Sequence, residues 1–103
     1  MPIKSLGEML RSLRERQGLL LREVAAILAI DPSLLSKIER GTKNPTREHI
    51  LKMARIYDCK EKDLLVAFLS NMVVNVLDNE EFANDAIIEA KKKINALQKR
   101  KGK

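Results

Sequence analysis

The chain has 103 residues, 45% of them hydrophobic but only 3% aromatic, and a net charge of +6. That length fits one domain, or one domain with an extension, and its core must be aliphatic. One cysteine excludes an intrachain disulfide, and one Cys with one His cannot make a metal site of the usual ligand count.

No cofactor is therefore expected. Leu, Ile, Val, Ala and Met with three Pro and four Gly point to an all-helical chain, and no long alternating β-branched run suggests a strand. The longest apolar run, Leu64–Leu69, is far too short to span a bilayer, and Met1-Pro2-Ile3-Lys4 holds no signal-peptide core. A cytoplasmic protein without a membrane role is expected.

In chain order, Ser5-Leu6-Gly7-Glu8 has capping-box spacing and opens a helix carrying Leu6, Met9, Leu10 and Leu13. Gln17-Gly18 stops it. A second helix starts near Leu20 or Leu21 and is expected to bury Val24, Ala25, Ile27 and Leu28. Ala29-Ile30 links it to a short helix over Asp31–Gly41, with Asp31 as its cap, Pro32 in first position and Gly41 as a left-handed stop. A three-residue turn between two short helices is the helix-turn-helix pattern. Thr46 caps a fourth helix that faces the core with Ile50, Leu51, Ala54 and Tyr57, and Asp58-Cys59-Lys60 breaks it.

A fifth helix over about 61–77 is apolar over most of its circumference and calls for burial on more than one side. Asp78-x-x-Glu81 again has capping-box spacing, and a sixth helix is expected from about Glu80 to Lys99. Ala83, Ile87, Ala90, Ile94 and Leu97 keep a 4-3-4-3 spacing there, a narrow apolar seam.

Charge is unevenly spread. Residues 1–60 hold 12 Lys/Arg against 7 Asp/Glu, residues 61–90 hold 1 against 7, and residues 91–103 hold 7 against none. The basic N-terminal part fits a polyanionic partner. The Asp31 helix shows how one would be met. At about 100° per residue, Leu35 and Ile38 share one side while Ser33, Lys37 and Arg40 cluster opposite. This is the layout of a helix whose outer face lies in the DNA major groove, although any amphipathic surface helix shares it.

Leu19, Glu23, Val24, Ala25, Leu28, Ile30, Pro32, Ser33, then Leu35-Ser36-Lys37-Ile38-Glu39-Arg40-Gly41, and Asn44-Pro45 complete the pattern. Together they resemble the Cro and phage-repressor (XRE-like) type of helix-turn-helix family. The match extends over about residues 5–66 and implies a five-helix, lambda-repressor-like DNA-binding domain. Two departures stand out. Leu20-Leu21 replaces the usual Thr-Gln at the start of helix two, and Ala29 replaces the usual turn glycine, at a cost on the order of 1 kcal/mol in left-handed geometry.

The resemblance implies that Ser33, Ser36 and Lys37 project into the major groove. Leu34 lies at the edge of that face, facing a thymine methyl or the core edge. Arg40, Thr42, Lys43, Asn44 and Arg47 read as phosphate contacts. The resemblance also implies a partly buried ion pair between Arg14 and Glu39. His49 is expected at the surface and Cys59 as an inert helix-end residue. The Lys91–Lys103 cluster is either a solvated helix end or a nonspecific nucleic-acid contact.

No acid–base pair, nucleophile constellation or glycine-rich phosphate loop suggests an enzyme. The expected function is a sequence-specific DNA-binding transcription regulator. It is expected to be a homodimer, with residues 1–60 as the DNA-binding core and 61–103 as a helical dimerisation segment with a basic tail. Leu65, Phe68, Leu69, Met72, Val73, Val76, Ile87, Ala90, Ile94 and Leu97 are the candidate dimerisation residues. Two alternatives stay open: an antitoxin holding a toxin through its C-terminal helices, and a protein-interaction module that no longer binds DNA.

Overall fold

The computed structural model describes residues Ser5–Lys101, so the first four residues and the end of the basic tail lie outside it. The described chain is all-helical: α1 (Leu6–Arg16), α2 (Leu21–Leu28), α3 (Pro32–Arg40), α4 (Arg47–Ile56), α5 (Glu61–Leu77) and α6 (Ala83–Lys101). It forms two compact units, one through Met72 and one from Val73 onward.

In the first unit, each helix end can be traced to particular residues. Ser5 Oγ accepts from Glu8 N–H and Glu8 Oε1 accepts from Ser5 N–H, closing the expected box at α1. Thr46 closes another at α4, where its hydroxyl accepts from His49 N–H at 3.1 Å and His49 Nδ1 accepts from Thr46 N–H at 3.4 Å. At α2 a leucine stands in the cap position. Only the return bond forms there, from Leu20 N–H to Glu23 Oε1 at 2.7 Å.

Asp31 departs from expectation. Its carboxylate makes no cap bond; instead its backbone carbonyl accepts from Leu34 and Leu35. The first turn of α3 is exposed, so water can satisfy the donors that the side chain leaves.

The C-terminal ends of α1 to α4 share one device. A residue at positive φ reverses the chain, and the following N–H reaches back five residues to a helix carbonyl. Gly18 (φ 69), Ala29 (φ 59), Gly41 (φ 84) and Asp58 (φ 52) hold the left-handed position. Leu19, Ile30, Thr42 and Cys59 then donate to Arg14, Ala25, Lys37 and Ala54. Leu19, Ile30 and Cys59 also pack against the core, giving this stop the apolar contact that fixes the direction of the next segment. Cys59 thus has a packing role, and burial raises the pKa of its half-buried thiol.

The core comprises Leu6, Leu10 and Leu13 from α1, Val24, Ala25 and Leu28 from α2, Leu35 and Ile38 from α3, Ile50, Met53 and Ala54 from α4, with Tyr57, Leu64 and Phe68. Three expectations need correction. Ile27 is 59% exposed, because it lies about 100° around α2 from Leu28. Leu51 is only partly buried, while Met53 fills the core. Phe68 cannot serve a dimer surface: it falls one turn after Leu64 on the same side of α5 and is 8% exposed in the core. The first compact unit takes in this part of α5, through Met72.

From Val73 onward the chain carries the end of α5 and then α6. The Asp78–Glu81 box does not start a helix. Asn79 takes φ 65 and redirects the chain, and α6 begins only at Ala83, where the Phe82 carbonyl accepts from Ala86 N–H at 3.0 Å.

Gly7 marks a close approach of α1 to α3. A Cβ there would sit 2.8 Å from the Ile38 carbonyl oxygen and nearer still to that of Glu39, and backbone cannot yield as a side chain can. Gly7→Ala should therefore lower stability by about 1–3 kcal/mol, the usual cost of overpacking. Urea melts of the two proteins check this, and an unchanged midpoint would show that the helices separate freely.

Candidate nucleic-acid interface

The site is the outer face of α3, together with the loop after it and the start of α4. Its inner face is fixed first. Leu35 and Ile38 are buried in the core, and Glu39 is 8% exposed between α1 and α3. The Glu39 carboxylate accepts two bonds from the Arg14 guanidinium, from Nε at 2.8 Å and Nη2 at 3.0 Å. The third bond from Arg14, through Nη1, goes to the Leu19 carbonyl at 3.0 Å. One side chain thus ties α1, the loop after it and α3. The bonds to Glu39 raise the Arg14 pKa, so its charge is permanent.

Tyr57 is buried near this pair, and burial pushes its hydroxyl pKa up, so the group stays neutral. Among the described residues that hydroxyl has no hydrogen-bond partner. Gln17 Nε2 donates to the Tyr57 carbonyl at 3.1 Å and links the end of α1 to the end of α4.

With the inner face held, the outer residues follow from helical spacing. Ser33, Lys37 and Arg40 are exposed, Ser36 is half-buried, and Leu34 is partly buried and packed against the core edge. Thr42, Lys43, Asn44 and Arg47 are exposed around the α3–α4 connection. Thr42 has a local task as well: its hydroxyl donates to the Lys37 carbonyl at 3.3 Å, beside the backbone bond that stops α3. Among the described residues, Lys37, Arg40, Lys43 and Arg47 have no carboxylate partner at ion-pair distance. Four uncompensated cations on one contiguous stretch form a surface that attracts an anion. The connection leads through buried Pro45 into the N-terminus of α4, where first-turn N–H groups favour an anion.

A helix-turn-helix domain family model matches residues 5–67, more than half of the chain. The chain belongs to the helix-turn-helix family. It is of the Cro and phage-repressor (XRE-like) type that the Leu35–Gly41 run suggested. An HTH-type transcriptional regulator, DdrOP3 of Deinococcus deserti, is 40% identical to it over 60 residues. That match covers 58% of this chain and 46% of the relative, so the chain spans about half the length of the curated protein it matches. In this helix-turn-helix domain α2 and α3 are the paired helices and Ala29 is the turn, in left-handed geometry although it is not glycine. Leu20, where the family usually has a polar cap, is half-exposed.

Three contributors escaped sequence reasoning: Gly7 at the α1–α3 approach, Gln17 at the α1–α4 link, and His49 as partner in the Thr46 box. A glycine inside an otherwise strong helix was the only visible signal for the first. Spacing from Thr46 to His49 was available for the last, but histidine is not the usual box partner.

Among the described residues no group of His, Cys, Asp and Glu is arranged to hold a metal, and no helix is long and apolar enough to cross a membrane.

The Arg14–Glu39 pair generates a folding prediction. Either single substitution, Arg14→Met or Glu39→Gln, should cost about 3–5 kcal/mol, because the surviving group loses its partner in a poorly solvated site. The double variant should recover part of that loss. Strictly additive losses in parallel thermal melts would mean that the two residues stabilise the fold independently.

Proposed function

We propose that this protein is a sequence-specific DNA-binding transcription regulator that acts as a homodimer on an operator of two half-sites. The observation that carries this reading is the exposed α3 face, whose cations lack acidic partners while its inner side is locked by Arg14 and Glu39. Ser33, Ser36 and Lys37 lie where an α-helix in the major groove presents side chains to base edges, and Leu34 borders them. Arg40, Thr42, Lys43, Asn44 and Arg47 flank that face and suit phosphate oxygens, which position the protein without reading sequence. The regulator from Deinococcus deserti supports the same class. Acting on genomic DNA, the protein works in the cytoplasm.

The homodimer is supported by two facts. One α3 reads only a few base pairs, and two related by a twofold axis read half-sites separated by about 34 Å, one turn of DNA. Leu69, Met72, Val73 and Val76 on α5, and Ile87, Ile94 and Leu97 on α6, are also large apolar side chains exposed in the single chain. Leu65, earlier on α5, is half-buried. So much exposed aliphatic surface marks a contact with another protein surface.

Lys37→Ala should weaken binding to a specific site by about 1–3 kcal/mol and leave binding to random DNA far less affected. Arg40→Ala and Lys43→Ala should weaken both similarly, each lowering the slope of log affinity against log salt by about 1. Fluorescence anisotropy with both duplexes over a salt series measures all three. An unchanged ratio of specific to random binding in Lys37→Ala would remove that residue as a base reader.

A further inference from the structure

The α6 helix carries its charge in two blocks. Its first half, residues 83–90, holds Asp85 and Glu89 with no Lys or Arg, after Glu80 and Glu81 in the preceding turn, while residues 91–100 hold Lys91, Lys92, Lys93, Lys99 and Arg100 with no acid. Acid at the start and base at the end complement a helix dipole, but that effect fades within the first and last turns. Here the sign changes abruptly between Glu89 and Lys91, in the middle of the helix, so the dipole does not account for the pattern.

The apolar seam has a matching symmetry. Ala83, Ile87, Ala90, Ile94 and Leu97 fall within about 80° of one another around the helix axis. Reversing the direction of the helix about Ala90 places Ala83 where Leu97 was and Ile87 one residue, about 1.5 Å, from where Ile94 was. The seam therefore comes close to matching itself when two copies run antiparallel. Ile87, Ile94 and Leu97 are all roughly half exposed in the single chain, as an unpartnered seam requires.

We infer that α6 pairs with α6 of a second copy in antiparallel orientation, crossing at Ala90. This rests on the homodimer reading above and names the contact and its direction. In that arrangement the acidic half of each helix lies along the basic half of its partner. A parallel pair would set acid against acid and base against base along its whole length. Such juxtaposition disfavours the wrong pairing, and complementary blocks fix the right one. Small Ala90 on the axis lets the two backbones approach to the lower end of the usual range of about 8–10 Å. An antiparallel pair also has the twofold axis that an isologous contact requires.

Cysteine crosslinking of full-length protein tests the direction, with Cys59→Ser as background so that each protein carries one thiol. A disulfide needs Cα atoms within about 7 Å. Over a helix rise of 1.5 Å per residue, positions 83 and 97 are about 21 Å apart. Ala90→Cys should oxidise to a covalent dimer. Ala83→Cys alone and Leu97→Cys alone should not, whereas their equimolar mixture should give the mixed dimer. Self-crosslinking of Ala83→Cys and of Leu97→Cys would establish a parallel pair and overturn the inference. Sedimentation equilibrium on the Cys59→Ser background, reduced and at micromolar concentration, separates the remaining cases. A dimer whose variants never crosslink overturns the α6 contact and leaves the homodimer standing. An 11.7 kDa particle overturns both.

Discussion

The close contact of α1 with α3 is the constraint on which the rest of this structure depends. Gly7 allows the two backbones to approach, and Arg14 then grips the Glu39 carboxylate with a two-pronged bond while its third donor holds the Leu19 carbonyl. A buried ion pair is weak evidence of stabilisation, because desolvating two charges offsets most of their attraction. Its consequence here is geometric. A carboxylate that must meet a planar guanidinium permits only a narrow range of rotations of α3 about its own axis. That rotation decides whether Lys37 or Ile38 faces outward. The chemistry of the outer face thus depends on a pair that faces inward.

The short helices pose a second constraint. α2, α3 and α4 have 8, 9 and 10 residues, lengths at which an isolated helix is marginal in water. Their stability comes from burying one side each, and that requires each helix to stop at the right place and send the chain in the right direction. The repeated left-handed stop does both, since the residue after each reversal at Gly18, Ala29 and Asp58 returns to the core. At Gly41 the following residue is Thr42, which remains outside. The chain therefore stays at the surface as it leaves α3, and Lys43 and Asn44 extend the exposed face that Lys37 and Arg40 begin.

Much of this was legible in the sequence because the signals are local. The capping box at Ser5, the cap at Thr46, the glycine stops and the 3.6-residue spacing of aliphatic residues all operate within one helical turn. The Leu35–Gly41 run pointed to the family, and the Arg14–Glu39 pair came with it. What the sequence hid depends on contacts between distant segments. Ile27 and Phe68 have the same aliphatic or aromatic character as their neighbours, and only the packing of α2 and α5 decides that one is exposed and the other buried. Asp31 and Asp78 carry good capping chemistry. At one the backbone carbonyl and solvent serve the first turn instead, and at the other Asn79 turns the chain before a helix can start. Gly7 went unnoticed because its reason lies on α3, more than thirty positions away in the sequence.

A fixed inner face and an uncompensated outer face together suit a reader of DNA, and the central proposal is that this reader is sequence-specific and works in pairs. Selection of bound duplexes from a fully random pool by the full-length protein tests it most directly. The enriched sequences should share one short motif present twice, inverted, with centres about 10 base pairs or a multiple of that apart, matching twofold-related α3 helices. A bound pool no different in sequence from the starting pool would contradict the account.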